Sequence, residues 1–286
     1  MKLLAFFLSL TCSVSLLAQI GYSGFINKYP ITLVSDAYSD GVVKAIYAYN
    51  KYDTPIPIQG ILKENRLELY EKDENGLVVA IFTFENFDVA APQLLGTWTN
   101  RKTQKTLDVQ LSKDFDVEDK ESWEEIELLQ EASNKYHYFK LLITKESGVS
   151  SVKIFEKGTD KLFQSFEVKS ARLGLNNVLI DDYNFDGIND FSVFLQNFAG
   201  PNTSSAYFLK NPKTRQYFLS NIKGTSLEFN HEEETIIERN SSGAGSTITT
   251  TIYKLRDNEM IVIEAFCYTW DSEVQELIEQ QMDECE

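Results

Sequence analysis

Between two apolar stretches the chain reads Ile180-Asp181-Asp182-Tyr183-Asn184-Phe185-Asp186-Gly187-Ile188-Asn189-Asp190. Oxygen-bearing side chains recur at alternate positions, Asp182, Asn184 and Asp186, and return at Asp190. Gly187 stands directly after the third of them, where a compact loop has to turn sharply. A hard cation such as Ca2+ takes about six to eight oxygen ligands, and a short loop supplies them from alternate residues plus a backbone carbonyl. The spacing therefore predicts a Ca2+ site formed by the side chains of Asp182, Asn184, Asp186 and Asp190, with the backbone carbonyl of Ile188 as a further ligand. Asp181 falls outside this set or behind it. Mg2+ demands a more rigid octahedral shell and keeps more water. A tight acidic hairpin that binds no ion is the competing reading, because Asp-Gly pairs are common in turns.

The elements that must hold this loop are strands. In a helix–loop–helix calcium motif the twelfth loop position is a bidentate Glu; here it is Val193. On either side of the loop, residues 177–180 and 191–195 are apolar and extended in character. The arrangement resembles the strand–loop–strand calcium loops of FG-GAP-type β-propeller blades.

Period-2 alternation, the mark of a half-buried strand, dominates the rest of the chain. It is clear over Val43 to Tyr49, Arg66 to Glu71, Leu77 to Phe84, Leu94 to Thr99 and Thr106 to Leu111. Ser39-Asp40-Gly41, Lys63-Glu64-Asn65 and Glu74-Asn75-Gly76 separate these runs as turns. A meandering antiparallel sheet or a small barrel is expected. The acidic stretch 113–122 reads as a linker. Beyond it, Glu125 to Leu128 alternates like a strand, although Ser122 and Glu125 also fit a helix capping box. Strands continue over 136–144, 150–155, 162–168, 206–209, 216–219, 235–238, 247–253 and 260–265. Asp271 to Met282 is expected to be a helix, capped by Asp271 or Ser272, with Val274, Leu277 and Ile278 on one face.

Composition narrows the function classes. The formal charge is −16, from 27 Lys and Arg against 43 Asp and Glu. Such a surface repels phosphates, so nucleic acid is excluded as a partner. Lys2 followed by an apolar run and Leu16-Leu17-Ala18 reads as a cleavable export signal over residues 1–18. Its removal takes Lys2 and no acid, leaving −17. No later segment is apolar enough for a membrane helix. Beyond residue 18 only Cys267 and Cys285 remain. In an oxidising compartment this even pair is expected to form a disulfide. No catalytic centre is recognisable. His137 lies between tyrosines and His231 in a turn, neither beside a nucleophile, and no carboxylate pair is singled out for glycosidase chemistry. Trp98, Trp123 and Trp270 are core candidates before they are sugar platforms.

The run Val178 to Leu209, with the calcium loop, Ala199-Gly200-Pro201-Asn202 and Ala206-Tyr207-Phe208-Leu209, resembles the calcium-binding, propeller-like periplasmic immunity proteins that inhibit lysozyme-like toxins. Asn211-Pro212-Lys213-Thr214 and Arg239-x-Ser241-Ser242-Gly243 extend the likeness, which covers about residues 135–265 of this sequence. The alternation predicts an all-β chain with an antiparallel N-terminal β-domain over 19–112, which lies outside the resemblance; the resemblance implies a propeller-like β-domain over 123–286 with the calcium loop, ahead of the expected short C-terminal helix. It also implies an exported, periplasmic or extracellular, non-enzymatic inhibitor whose partner is a cationic lysozyme-like hydrolase. No inhibitory residue can be carried over from the family. A surface-exposed module that binds glycan or protein is the alternative, and a hydrolase without a recognisable motif is a third.

Overall fold

The computed structural model describes residues 16–198 and 200–285. The chain is almost entirely β. It divides into two compact units: the first runs to Tyr47 and resumes over Pro57–Asp119, and the second takes Ala48–Ile56 and everything from Lys120 onward.

The first unit is a closed antiparallel barrel of eight strands in chain order: β1 (Leu16–Ile26), β2 (Tyr29–Tyr38), β3 (Val42–Tyr49), β4 (Ile56–Lys63), β5 (Arg66–Lys72), β6 (Val78–Phe84), β7 (Gln93–Asn100) and β8 (Thr106–Asp116). The alternation seen in the sequence is realised as burial. In β5 Leu67 and Leu69 are buried, and in β6 Ala80, Phe82 and Phe84 are buried. The phenol of Tyr47 donates to Glu71 Oε2 at 2.8 Å, so one interior edge is polar but satisfied. Closure comes from β1 pairing with β8, Ile20 opposite Asp116 through Ile26 opposite Val109. Gly24 lies on that seam. A Cβ there would meet the Gln110 carbonyl oxygen at 2.1 Å, so only glycine lets the two backbones approach this closely.

Two boundaries differ from the sequence reading. Residues 1–15 of the expected leader lie outside the described residues, but Leu16, Leu17 and Ala18 begin β1. From Gln19 on, β1 still pairs with β2 from Gln19–Asp36 to Ile26–Tyr29, so a cut after Ala18 would spare that register. The stretch expected to be a linker over 113–122 is partly strand. β8 continues to Asp116, and the Val117 N–H donates to the Gln19 carbonyl at 2.9 Å. Acidic composition suggested a solvated connection, yet a barrel strand needs only alternate positions to be apolar.

The second unit contains three antiparallel sheets, each a meander of consecutive strands. The first is β9 (Glu125–Ser133), β10 (His137–Thr144), β11 (Gly148–Glu156) and β12 (Lys161–Ser170). The second is β13 (Val178–Asp181), β14 (Asp190–Asn197), β15 (Thr203–Lys210) and β16 (Tyr217–Leu219). The third is β17 (Leu227–Asn230), β18 (Thr235–Ser242), β19 (Thr247–Arg256), β20 (Glu259–Asp271) and β21 (Glu276–Gln280). Aromatic rings join the first two sheets, with Phe139 5.1 Å from Phe191 and Phe166 4.7 Å from Phe208. Tyr183, Tyr207 and Phe229 do the same between the second and third, at 4.7 to 5.2 Å.

The expected helix over Asp271–Met282 is not formed. Asp271 Oδ1 accepts the Glu273 and Val274 N–H groups, as a cap would, but Gln275 then takes φ 60° and the chain reverses. β21 pairs with β20, Trp270 opposite Leu277 and Asp271 opposite Glu276. An aspartate that receives N–H groups from the residues after it starts helices and turns alike. The helical spacing of Val274, Leu277 and Ile278 does not mark a buried face, and all three are exposed. Cys267 and Cys285 are disulfide-bonded, with their Cα atoms 5.9 Å apart. The bridge fastens the chain just beyond β21 back onto β20.

Candidate metal site in the 181–190 loop

β13 and β14 form a short ladder that ends at the pair Asp181–Asp190. The residues between them make the loop, and its side chains hold its backbone. Asp182 does most of this. Its Oδ1 accepts the Asp186 N–H at 3.0 Å and its Oδ2 accepts the Gly187 N–H at 2.7 Å. Asp186 Oδ1 in turn accepts the Ile188 N–H at 2.9 Å. The turn needs two left-handed residues, Phe185 at φ 61° and Gly187 at φ 80°. Glycine takes that conformation without the cost borne by other residues.

Asn184 lies between these carboxylates. Its Nδ2 donates to Asp186 Oδ2 at 3.2 Å and to Asn258 Oδ1 at 3.4 Å. Its Oδ1 is enclosed and has no hydrogen-bond partner among the described residues. A buried carbonyl oxygen left without a donor is unfavourable by about 1–3 kcal/mol.

Asp190 closes the set from below and is only 1% exposed. Its Oδ2 accepts the Tyr183 N–H at 3.1 Å, and its Oδ1 accepts the Lys210 N–H from the end of β15 at 2.7 Å. Burial pushes the Asp190 carboxyl up to about 7. The negative charges of Asp186 and Asp182 add to the rise, and the two N–H donors oppose it. Tyr183, buried behind the loop, hydrogen-bonds Ser192 at 2.8 Å.

The loop thus carries all five residues expected from the sequence. It links Asp182, Asn184 and Asp186 directly, while Asp190 sits deeper. The carboxylates are turned toward backbone N–H groups, and among the described residues no three acidic, histidine or cysteine groups are gathered as a ready-made ligand set. Asp181 faces away from the set. Its Oδ1 accepts the Asp182 N–H, and its carboxylate meets His231 Nε2 at 3.1 Å. His137 is buried in the first sheet and stacked on Phe163 at 4.4 Å, as a packing residue. Lys210, Asn258 and His231 could not be placed near the loop from their positions in the chain, because each arrives from a distant strand or turn.

No family model matches the chain, and no curated protein matches it in sequence. Among solved structures it aligns with a Xanthomonas protein described as related to a type IV secretion system, at 10% identity and a TM-score of 0.30, over 92% of this chain and 99% of that one. It also aligns with a porin-like protein from Bacteroides uniformis, at 10% identity and a TM-score of 0.16, over 87% of this chain and 93% of that one. Overlaps this low carry no argument about fold or activity.

Proposed function

We propose that this chain is an exported, calcium-binding β protein that inhibits a lysozyme-like peptidoglycan hydrolase by stoichiometric binding, without chemistry of its own. The observation that carries the calcium part is Asn184 Oδ1, buried and lacking any donor among the described residues, on a side chain whose Nδ2 donates to Asp186. A cation is the partner that this oxygen and the neighbouring carboxylates have in common. Asp182, Asn184, Asp186 and Asp190 would hold it through their side chains and Ile188 through its carbonyl. When bound, the ion neutralises the loop's negative charge and ties β13 to β14. The chain of three meander sheets is the kind of unit from which a propeller-like domain is built, which supports that part of the reading.

The inhibitory part rests on the resemblance described for residues 135–265, together with the formal charge of −16. An acidic protein attracts a cationic hydrolase at long range. The test is a panel of envelope muramidases assayed with and without the purified protein. Blockage of at least one at one-to-one stoichiometry supports the proposal; no binding across a broad panel removes it.

One observation favours a different reading, a glycan- or protein-binding surface module. Trp270 is 51% exposed, and on the same hairpin Leu277 and Ile278 are open to solvent. Retention on a glycan column, lost in Trp270→Ala, would select this reading over inhibition.

A further inference from the structure

In the second unit Tyr136, His137, Phe163, Ile188, Lys210 and Arg215 line an open cavity of about 430 Å3. Its walls are mostly apolar, from the ring faces of Tyr136 and Phe163 and the side chain of Ile188. Its charged groups are both cations. Lys210 Nζ lies over the Tyr217 ring at 5.2 Å. Arg215 stands on a turn built by Asn211, whose Oδ1 accepts the Lys213 and Thr214 N–H groups and whose carbonyl accepts the Arg215 N–H at 2.8 Å. That turn fixes Arg215 at φ 61°. Neither cation is in a salt bridge with any described residue. In a chain with 43 acids against 27 bases, two unpaired cations on one cavity are an exception to the general field. A second, independent feature lies in the wall. His137 is 7% exposed, and its Nδ1 is buried without a hydrogen-bond partner among the described residues.

We infer that this cavity is a binding site for a small organic carboxylate with an apolar body of about the size of an aromatic ring. The carboxylate belongs between Lys210 and Arg215, and the apolar part against Phe163, Tyr136 and Ile188. Arginine and lysine provide charge-assisted donors to a carboxylate, arginine in a forked geometry that a neutral amide cannot match. Aromatic walls supply the favourable apolar contact. The cavity adjoins the proposed metal loop, since Ile188 lines it and the Lys210 N–H donates to Asp190 Oδ1, but the carboxylate would be held by the Lys210 and Arg215 side chains, neither of which is a proposed metal ligand.

The experiment is titration of the full protein with N-acetylphenylalanine, followed by heteronuclear NMR shifts, beside the same titration with N-acetylphenylalaninamide. The acid should bind saturably at millimolar concentration, with the amide weaker by roughly tenfold or more, as loss of hydrogen bonds to charged groups implies. Arg215→Gln should weaken the acid by a similar factor and leave the amide unchanged. Arg215 is exposed, so this variant keeps its fold, and the comparison of acid with amide stands without any variant. Equal binding of acid and amide, no binding of either, or an Arg215→Gln protein that binds the acid like the wild type would each overturn the assignment.

Discussion

At the scale of single residues, the calcium reading separates two neighbouring aspartates. Asp186 contributes to the oxygen set and accepts the Ile188 N–H, whereas Asp181 faces His231. Asp186→Ala is expected to abolish the calcium-dependent gain in stability, and Asp181→Asn to keep most of it. Melting curves with calcium and with chelator read the difference, and equal gains in the two variants would reject the ligand assignment. His137 makes a separate prediction. Burial, with the charges of Lys210 and Lys157, lowers its pKa from 6.5, and Glu156 opposes them only partly. A histidine held neutral in the fold contributes stability above its unfolded pKa and loses it as pH falls through the folded value. The wild type should therefore lose more melting temperature between pH 7 and pH 5, a window set by the ordinary imidazole value of about 6.5, than His137→Phe does. Equal losses would show that burial of the ring has no such consequence. What the sequence could show of the site was the spacing of Asp182, Asn184, Asp186 and Asp190. It could not show that the Lys210 N–H reaches Asp190 across 20 residues, or that Asn258 reaches Asn184 across 74. The first follows from the pairing of β14 with β15, and the second from the β19–β20 turn of the third sheet meeting the loop.

At the scale of elements, alternation was a dependable guide where one face of a strand is buried and the other is not. Arg66–Lys72 and Val78–Phe84 were legible for that reason. β1 was not, because Gly21, Ser23 and Gly24 interrupt its apolar pattern and part of it reads as an export signal. The C-terminal hairpin was misread because an Asp that caps a turn looks like one that caps a helix. Two expectations follow for these elements. Gly24→Val should destabilise the barrel by about 1–3 kcal/mol or more, the usual cost of forced overpacking, since its side chain would collide with the Gln110 backbone. Denaturant melts of the variant check this, and an unchanged midpoint would mean that the β1–β8 seam is looser than described. The Cys267–Cys285 bridge should leave no titratable thiol among those two in the unreduced, denatured protein. A closed loop of this length is worth about 3 kcal/mol in the chain-entropy model. Reduction should thus speed hydrogen exchange in β21 before the rest of the third sheet, and unaltered exchange there would contradict the role given to the bridge.

At the scale of the whole molecule, the proposed function rests on two levers, charge and a bound metal ion. Steering toward a cationic hydrolase should weaken as salt rises, because the screening length falls from about 10 Å at 0.1 M to about 3 Å at 1 M. Association measured by stopped flow should slow over that range while dissociation changes little. A rate indifferent to salt would separate any binding from the acidic surface. On the proposed reading, calcium would act on the native state by mass action and would stabilise it by about 2.7 kcal/mol when free ion is 100 times the dissociation constant. Without the ion, the carboxylates of Asp182, Asp186 and Asp190 share one loop, and burial already works against the charge on Asp190. The direct measurement is calorimetric titration of metal-stripped protein with calcium, beside melting curves with and without chelator. One equivalent of calcium taken up, with a melting temperature that falls on chelation, is the expected result. No uptake at millimolar calcium and a melting temperature indifferent to chelator would contradict it and leave residues 181–190 as a turn.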